Sequence, residues 1–179
     1  KQVVQSLKRF YETIEKHDLD ISQLHYPKGV FHLPNVLSKQ EIKELLGCLT
    51  NLKHQAMLSL TYSCGLRVGE LLSLVHSDID SRRMVVLVRN GKGNRDRIVP
   101  LSPKILELLR EYFSRYKPVK YLFEGVKPGE QYSNRSIQLV IKLAAEKAKI
   151  TRPVTMHWLR HSFATHLHES GVDIRYIQE

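Results

Sequence analysis

The stretch MHWLRHSFATHLHE, Met156 to Glu169, decides more about this chain than any other. Wound as a helix at about 100° per residue, it separates into two faces. Leu159, Phe163 and Leu167 form an apolar stripe for a core to bury, while Thr155 and Gly171 supply an N-cap and a C-terminal stop. His157, Arg160, His161, Ala164 and His168 gather on another side. Two imidazoles and a guanidinium therefore crowd the first turn, where the helix dipole is already positive. Folding gains little from that crowding, but it prepares the turn to receive an anion.

Two other readings compete for this helix. His157 and His161 stand at i and i+4 like a zinc pair, yet the metalloprotease pattern needs glutamate directly after the first histidine, and Trp158 occupies that place. Arg160 beside them would repel a cation, so neither a metal nor any other cofactor is expected. The second reading is structural, with histidines that cap and hydrogen-bond a core helix. It is favoured for His166 and His168 and stays open for His157 and His161.

Two clusters lie upstream. In Gly65-Leu66-Arg67-Val68-Gly69-Glu70-Leu71, Arg67 begins a helix, where a lone cation opposes the dipole unless something anionic meets it. Glu70 suits a first turn on dipole grounds alone; it is also placed to orient Arg67 or a histidine. In Gly91-Lys92-Gly93, two glycines permit a tight turn and a close backbone approach, and Lys92 projects a mobile ammonium. A solvated hairpin lysine is common, so this cluster takes its meaning from the others.

The remaining pattern predicts a mainly helical α+β fold with a small antiparallel β-sheet. Residues 1 to about 17 read as an amphipathic helix with Val3, Leu7, Phe10, Tyr11 and Ile14 at helical spacing, and the proline-containing stretch from His25 to Leu37 reads as a linker. Ser38 and Glu41 form a capping box for a helix to about Leu49; further helices are expected over Lys53–Ser63 and Arg67–Leu74. Met84–Arg89 and Asp96–Leu101 form a hairpin, with a short first strand near Asp78–Asp80. Helices follow over Pro103–Tyr116 and Asn134–Lys149, with a short extended segment at Tyr121–Phe123, and Asp173 caps a last helix.

Composition narrows the function. Over 179 residues, 28 Lys and Arg against 18 Asp and Glu give a net charge of +10 and a pI near 9.7. A polyanion is the natural partner. The charge is also concentrated, since Arg82, Arg83, Arg89, Lys92, Arg95 and Arg97 face one acid, Asp96, within a short stretch. No apolar run approaches the roughly 20 residues of a membrane span, and the basic start lacks the apolar core of a secretory signal. Cys48 and Cys64 fall in helical apolar patterns and read as free thiols in a cytosol-like compartment. The aromatic residues form no stacking array, which gives RNA binding little support.

Taken in order, the motifs G-L-R-x-x-E-L at Gly65–Leu71, G-K-G-N-x-x-R-x-V-P-L at Gly91–Leu101 and H-x-L-R-H-x-F-A-T-H-L at His157–Leu167 resemble the tyrosine recombinases, the phage integrase and Xer-like enzymes. The resemblance implies a catalytic domain over residues 38–179, incomplete at its C-terminus. Residues 25–37 would be an interdomain linker, and 1–24 the last helix of an N-terminal core-binding domain.

The chemistry so implied is a metal-free transesterification of double-stranded DNA at a specific recombination site. A tyrosine attacks a phosphodiester, forms a 3′-phosphotyrosyl bond and releases a 5′-hydroxyl. Negative charge builds on the non-bridging oxygens, so fixed cations are needed where other enzymes use magnesium. The resemblance makes Arg67 and Arg160 that clamp, Lys92 the general acid, and His157 a base or hydrogen-bond donor, with Glu70 and His161 in support. Arg89, Arg95 and Arg97 are expected to contact DNA phosphates. The family's L-G-H segment and nucleophile are expected beyond Glu179; Tyr176 lies too early to be that tyrosine. Family membership further implies a homotetramer on DNA, in the nucleoid-associated cytoplasm of a prokaryote or of phage origin. A non-catalytic DNA-binding module of the same fold is the rival reading.

Overall fold

The computed structural model describes residues 2–15, 35–89 and 96–173. Lys92, Arg95, Tyr176, most of the expected linker and the helix after Asp173 lie outside the described residues. The chain divides into two compact units, Lys1–Leu33 and Pro34–Glu179.

In the first unit, helix α1 (Gln2–Phe10) continues into a π-helical turn, Tyr11–Glu15. Leu7, Phe10 and Ile14 of its apolar stripe are exposed.

The second unit begins earlier than the expected domain start. Leu37, read as linker, is fully buried, and its amide donates to Ser162 Oγ at 2.9 Å. The capping box forms as expected: the Glu41 amide donates to Ser38 Oγ at 3.2 Å, and the Ser38 amide donates to Glu41 Oε2 at 2.8 Å. It opens α2 (Lys39–Gly47). Asn51 caps α3 (Leu52–Cys64) through its side-chain oxygen. Apolar residues occur all round α3, and Ala56, Met57, Leu58 and Leu60 are wholly buried, so it forms the central helix, packed between α5 (Pro103–Tyr116) and α7 (Met156–Glu169). Gly65 ends α3 at φ +59, and the short α4 (Val68–Ser73) follows with Arg67 at its N-cap.

Three antiparallel strands lie in the order β1 (Ile79–Asp80), β2 (Val85–Val88) and β3 (Arg97–Pro100). Val86 and Val99 pair across the sheet and both are buried; Val88 pairs with Arg97. The expected strand start at Met84 is a turn with φ +55, and β2 begins one residue later. Tyr121 makes a single antiparallel bridge to Val75 rather than a strand. α6 (Asn134–Lys147) is capped by Ser133 and ends two residues before the expected limit, because Lys149 adopts a left-handed backbone at φ +57.

α7 departs from its sequence reading in one respect. Its buried residues are Met156, Trp158, Leu159, Ser162 and His166, so the core face is rotated away from Phe163 and Leu167, which are only partly buried. The reason is polar pairing. Ser162 Oγ donates to the Trp158 carbonyl at 2.8 Å while accepting from Leu37, and His166 Nδ1 lies 2.9 Å from Tyr62 Oη, so both polar side chains are satisfied inside. Thr155 holds the N-cap position with extended backbone, but its hydroxyl makes no capping hydrogen bond.

Candidate functional site

Three guanidinium groups converge on one buried carboxylate. Glu70, 7% exposed, sits in the first turn of α4. Its Oε2 accepts the Arg67 amide at 2.7 Å, and its Oε1 accepts Arg67 Nη1 at 2.8 Å. From β3, Arg97 Nη1 donates to Oε1 at 2.8 Å and Nη2 to Oε2 at 2.7 Å, the parallel fork geometry that carboxylates favour. From α7, Arg160 Nη1 lies 3.9 Å from Oε2 and donates to the Gly65 carbonyl.

Local structure explains each position. Arg67 opens α4 with its amide already occupied by Glu70, which answers the apparent conflict of a cation at a helix start. The carboxylate that suits the dipole also supplies the counter-charge. Gly65 turns the chain into left-handed backbone, which brings its carbonyl to Arg160. A Cβ there would fall 2.5 Å from Phe163 Cδ1, so glycine also allows α3 and α7 to close together.

Burial alone would raise the Glu70 carboxyl. The hydrogen bonds from Arg97, from the Arg67 amide and from the Arg67 guanidinium overturn that and hold it at about 2, so it stays a carboxylate. Three cations around one anion leave a surplus of two positive charges. Arg67, with 41% of its side chain exposed, and Arg160, with 24%, are more open than Arg97, with 17%. The surplus thus sits on the side that a solvent-borne anion can reach.

His157 and His161 stand edge to face with ring centroids 4.0 Å apart. Partial burial lowers the His157 pKa, and His161, Arg160 and Arg67 push it down further. A neutral imidazole beside two arginines can accept a proton or donate a hydrogen bond as an anion enters. His168 is exposed, apart from the paired, buried His166.

The structure therefore brings Arg67, Glu70, His157, Arg160 and His161 to one place and adds Arg97, which was expected on DNA phosphate. Arg89 stands elsewhere: its Nε donates to Asp78 Oδ1 at 2.7 Å, and Asp78 Oδ2 accepts the Val75 amide at 2.9 Å. Arg89 keeps 58% of its side chain exposed. Two contributors escaped the sequence reading. Gly65 entered only as the first residue of its motif, although its carbonyl receives Arg160, and Ser162 was not singled out, although it bonds Leu37 from the turn that carries Arg160. Among the described residues, no three His, Cys, Asp or Glu side chains gather as metal ligands, and no helix is long and apolar enough to cross a membrane.

Comparison with known proteins identifies the family. The profile of the Phage integrase family matches residues 35–179. A putative integrase/recombinase of Sinorhizobium fredii is 43% identical over 169 residues, covering 94% of this chain and 55% of the relative. Tyrosine recombinase XerA of Pyrococcus horikoshii is 35% identical over 180 residues, covering 99% of this chain and 62% of the relative. The chain thus spans little more than half the length of these curated relatives. The crystal structure of a XerA recombinase superposes with a TM-score of 0.76 at 29% identity, over 99% of this chain and 72% of that one. XerH, solved on its difH substrate before cleavage, shares the fold with a TM-score of 0.77 at 24% identity, over 98% of this chain and 56% of that one. With its arginines gathered on Glu70 inside the matched residues, the chain belongs to the phage integrase family of tyrosine recombinases.

Proposed function

We propose that the protein carrying this chain breaks and rejoins double-stranded DNA at a specific site, and that the chain supplies the centre that binds and activates the scissile phosphate. The observation that carries this reading is the pair Arg67 and Arg160, held beside one buried carboxylate with His157 on the same surface. The two guanidinium groups neutralise the charge that grows on the non-bridging oxygens during phosphoryl transfer, without a metal ion. His157 moves or shares a proton at the phosphate. Lys92, following β2 in sequence, protonates the leaving 5′-oxygen, and the attacking tyrosine comes from outside the described residues. His161 orients His157 through their edge-to-face contact. Arg89 and Arg95 add phosphate contacts along the duplex. Residues 38–179 act as the catalytic domain and 1–24 as part of a DNA-gripping one. The working form is a homotetramer on two duplexes in the nucleoid-associated cytoplasm.

The test is covalent capture. The full-length reading frame is incubated with a randomised pool of nicked duplexes, and protein-linked DNA is recovered under denaturing conditions. The proposal expects an enriched sequence joined through its 3′-phosphate to a tyrosine. Specific binding without a covalent link would instead support a DNA-binding module of the same fold.

A further inference from the structure

We infer that Arg97 is a positioning residue rather than a DNA contact: its fork satisfies Glu70 from the buried side, leaving Arg67 and Arg160 their charge for the phosphate. The inference rests on the reading of Arg67 and Arg160 as the phosphate clamp.

Geometry carries it. Arg97 is the one guanidinium of the three that engages both carboxylate oxygens through two nitrogens, at 2.8 and 2.7 Å. It is also the least exposed of the three. Arg67 gives Glu70 a single guanidinium bond, and Arg160 stays at 3.9 Å. A carboxylate inside a protein draws in whatever cation is nearest, because the attraction is weakly screened there. Were Arg97 absent, Glu70 would compete with the incoming phosphate for Arg67 and Arg160. With Arg97 in place, that competition is met from behind.

Chain position adds a second consequence. Arg97 begins β3, paired with Val88 at the end of β2. In sequence, the segment that includes Lys92 directly precedes β3. The Arg97–Glu70 fork joins the first residue of β3 to the helix that Arg67 opens. Register along β3 and the position of the clamp are coupled through one pair of hydrogen bonds.

The experiment is a double-mutant cycle on the chain itself, using a fluorescein-labelled duplex of arbitrary sequence and anisotropy at low salt. Circular dichroism establishes that each variant is folded. Arg97→Met is expected to weaken duplex binding about tenfold, mid-range for side chains in direct contact. Glu70→Gln added to Arg97→Met is expected to restore most of that loss, because the competing charge is gone. A phosphate contact behaves differently: Arg97→Met would then weaken binding equally in both backgrounds, which overturns the inference. If Arg97→Met does not fold, Arg97→Lys replaces it in the same cycle. Lysine keeps the charge but has no fork, so a smaller loss, again removed by Glu70→Gln, is expected. Arg160→Ala separates the two proposals. An undiminished rate of adduct formation by Arg160→Ala in the full-length protein sinks the clamp itself, whereas an additive Arg97 and Glu70 pair sinks only the positioning role. A folded chain that binds no duplex overturns both.

Discussion

Replacing Glu70 by glutamine removes one charge and almost no volume from the centre of the site. Glu70 is 7% exposed and its carboxyl is held at about 2 against an ordinary 4.5. At about 1.4 kcal/mol per tenfold change in proton affinity, that depression corresponds to about 3 kcal/mol of folding stability at neutral pH. The sign follows from proton counting. The native state binds fewer protons than the unfolded chain between the two values, so the contribution is complete above about 4.5 and is lost as pH falls through about 2. Wild type is therefore expected to exceed Glu70→Gln by about 3 kcal/mol near pH 7 and about pH 5, with the gap closing steadily below that. Urea unfolding followed by far-ultraviolet circular dichroism, at several pH values for both proteins, measures the gap directly. A difference that stays constant from about pH 5 to about pH 3 would refute the reasoning. The destabilisation would then arise from shape or packing rather than from the carboxylate charge among three arginines.

Three further outcomes follow from particular contacts. Gly65→Ala combines a left-handed backbone with a Cβ 2.5 Å from the Phe163 ring, and is expected to cost about 2–4 kcal/mol; adding Phe163→Leu should recover part of the lost melting temperature, and no recovery would place the strain in the backbone alone. Ser162→Ala leaves the buried Leu37 amide without its partner and is expected to cost about 1–3 kcal/mol. Hydrogen exchange at Leu37 should rise by more than global destabilisation explains; exchange tracking global stability alone would count against that bond. Cys64 is 3% exposed and its thiol is pushed up by burial, so a thiol reagent at mildly alkaline pH should modify Cys48 well before Cys64. Equal rates would contradict the described core.

Much of the fold was legible because its signals are local. Ser38 with Glu41, Pro103 after Ser102, and Gly65 after an apolar run each mark a helix end by chemistry that acts within one turn. The β-branched runs within Met84–Arg89 and Asp96–Leu101 marked the two strands in the same way, and the structure trims them to Val85–Val88 and Arg97–Pro100. What escaped depends on distant partners. Arg97 reads as surface charge until β3 is laid beside α4, 27 residues away in sequence. Ser162 and His166 look like polar positions until Leu37 and Tyr62 arrive from elsewhere to satisfy them. The core face of α7 was misjudged for that reason: apolar periodicity cannot register a buried hydroxyl or imidazole whose partner is far along the chain. Arg67, Glu70, His157 and Arg160 were legible as a set through their spacing and family resemblance. Sequence did not show that Glu70 gathers three arginines.

The central claim is that Arg67 and Arg160 act on a phosphate as it gains charge. The most direct measurement is the single-turnover rate of covalent adduct formation by the full-length protein on its captured duplex, wild type against Arg160→Ala, at saturating DNA. The expected result is a loss of about 100-fold or more in rate with the complex still formed, the scale for removing one donor to a charged transition state. Adduct formation at an undiminished rate would contradict the account.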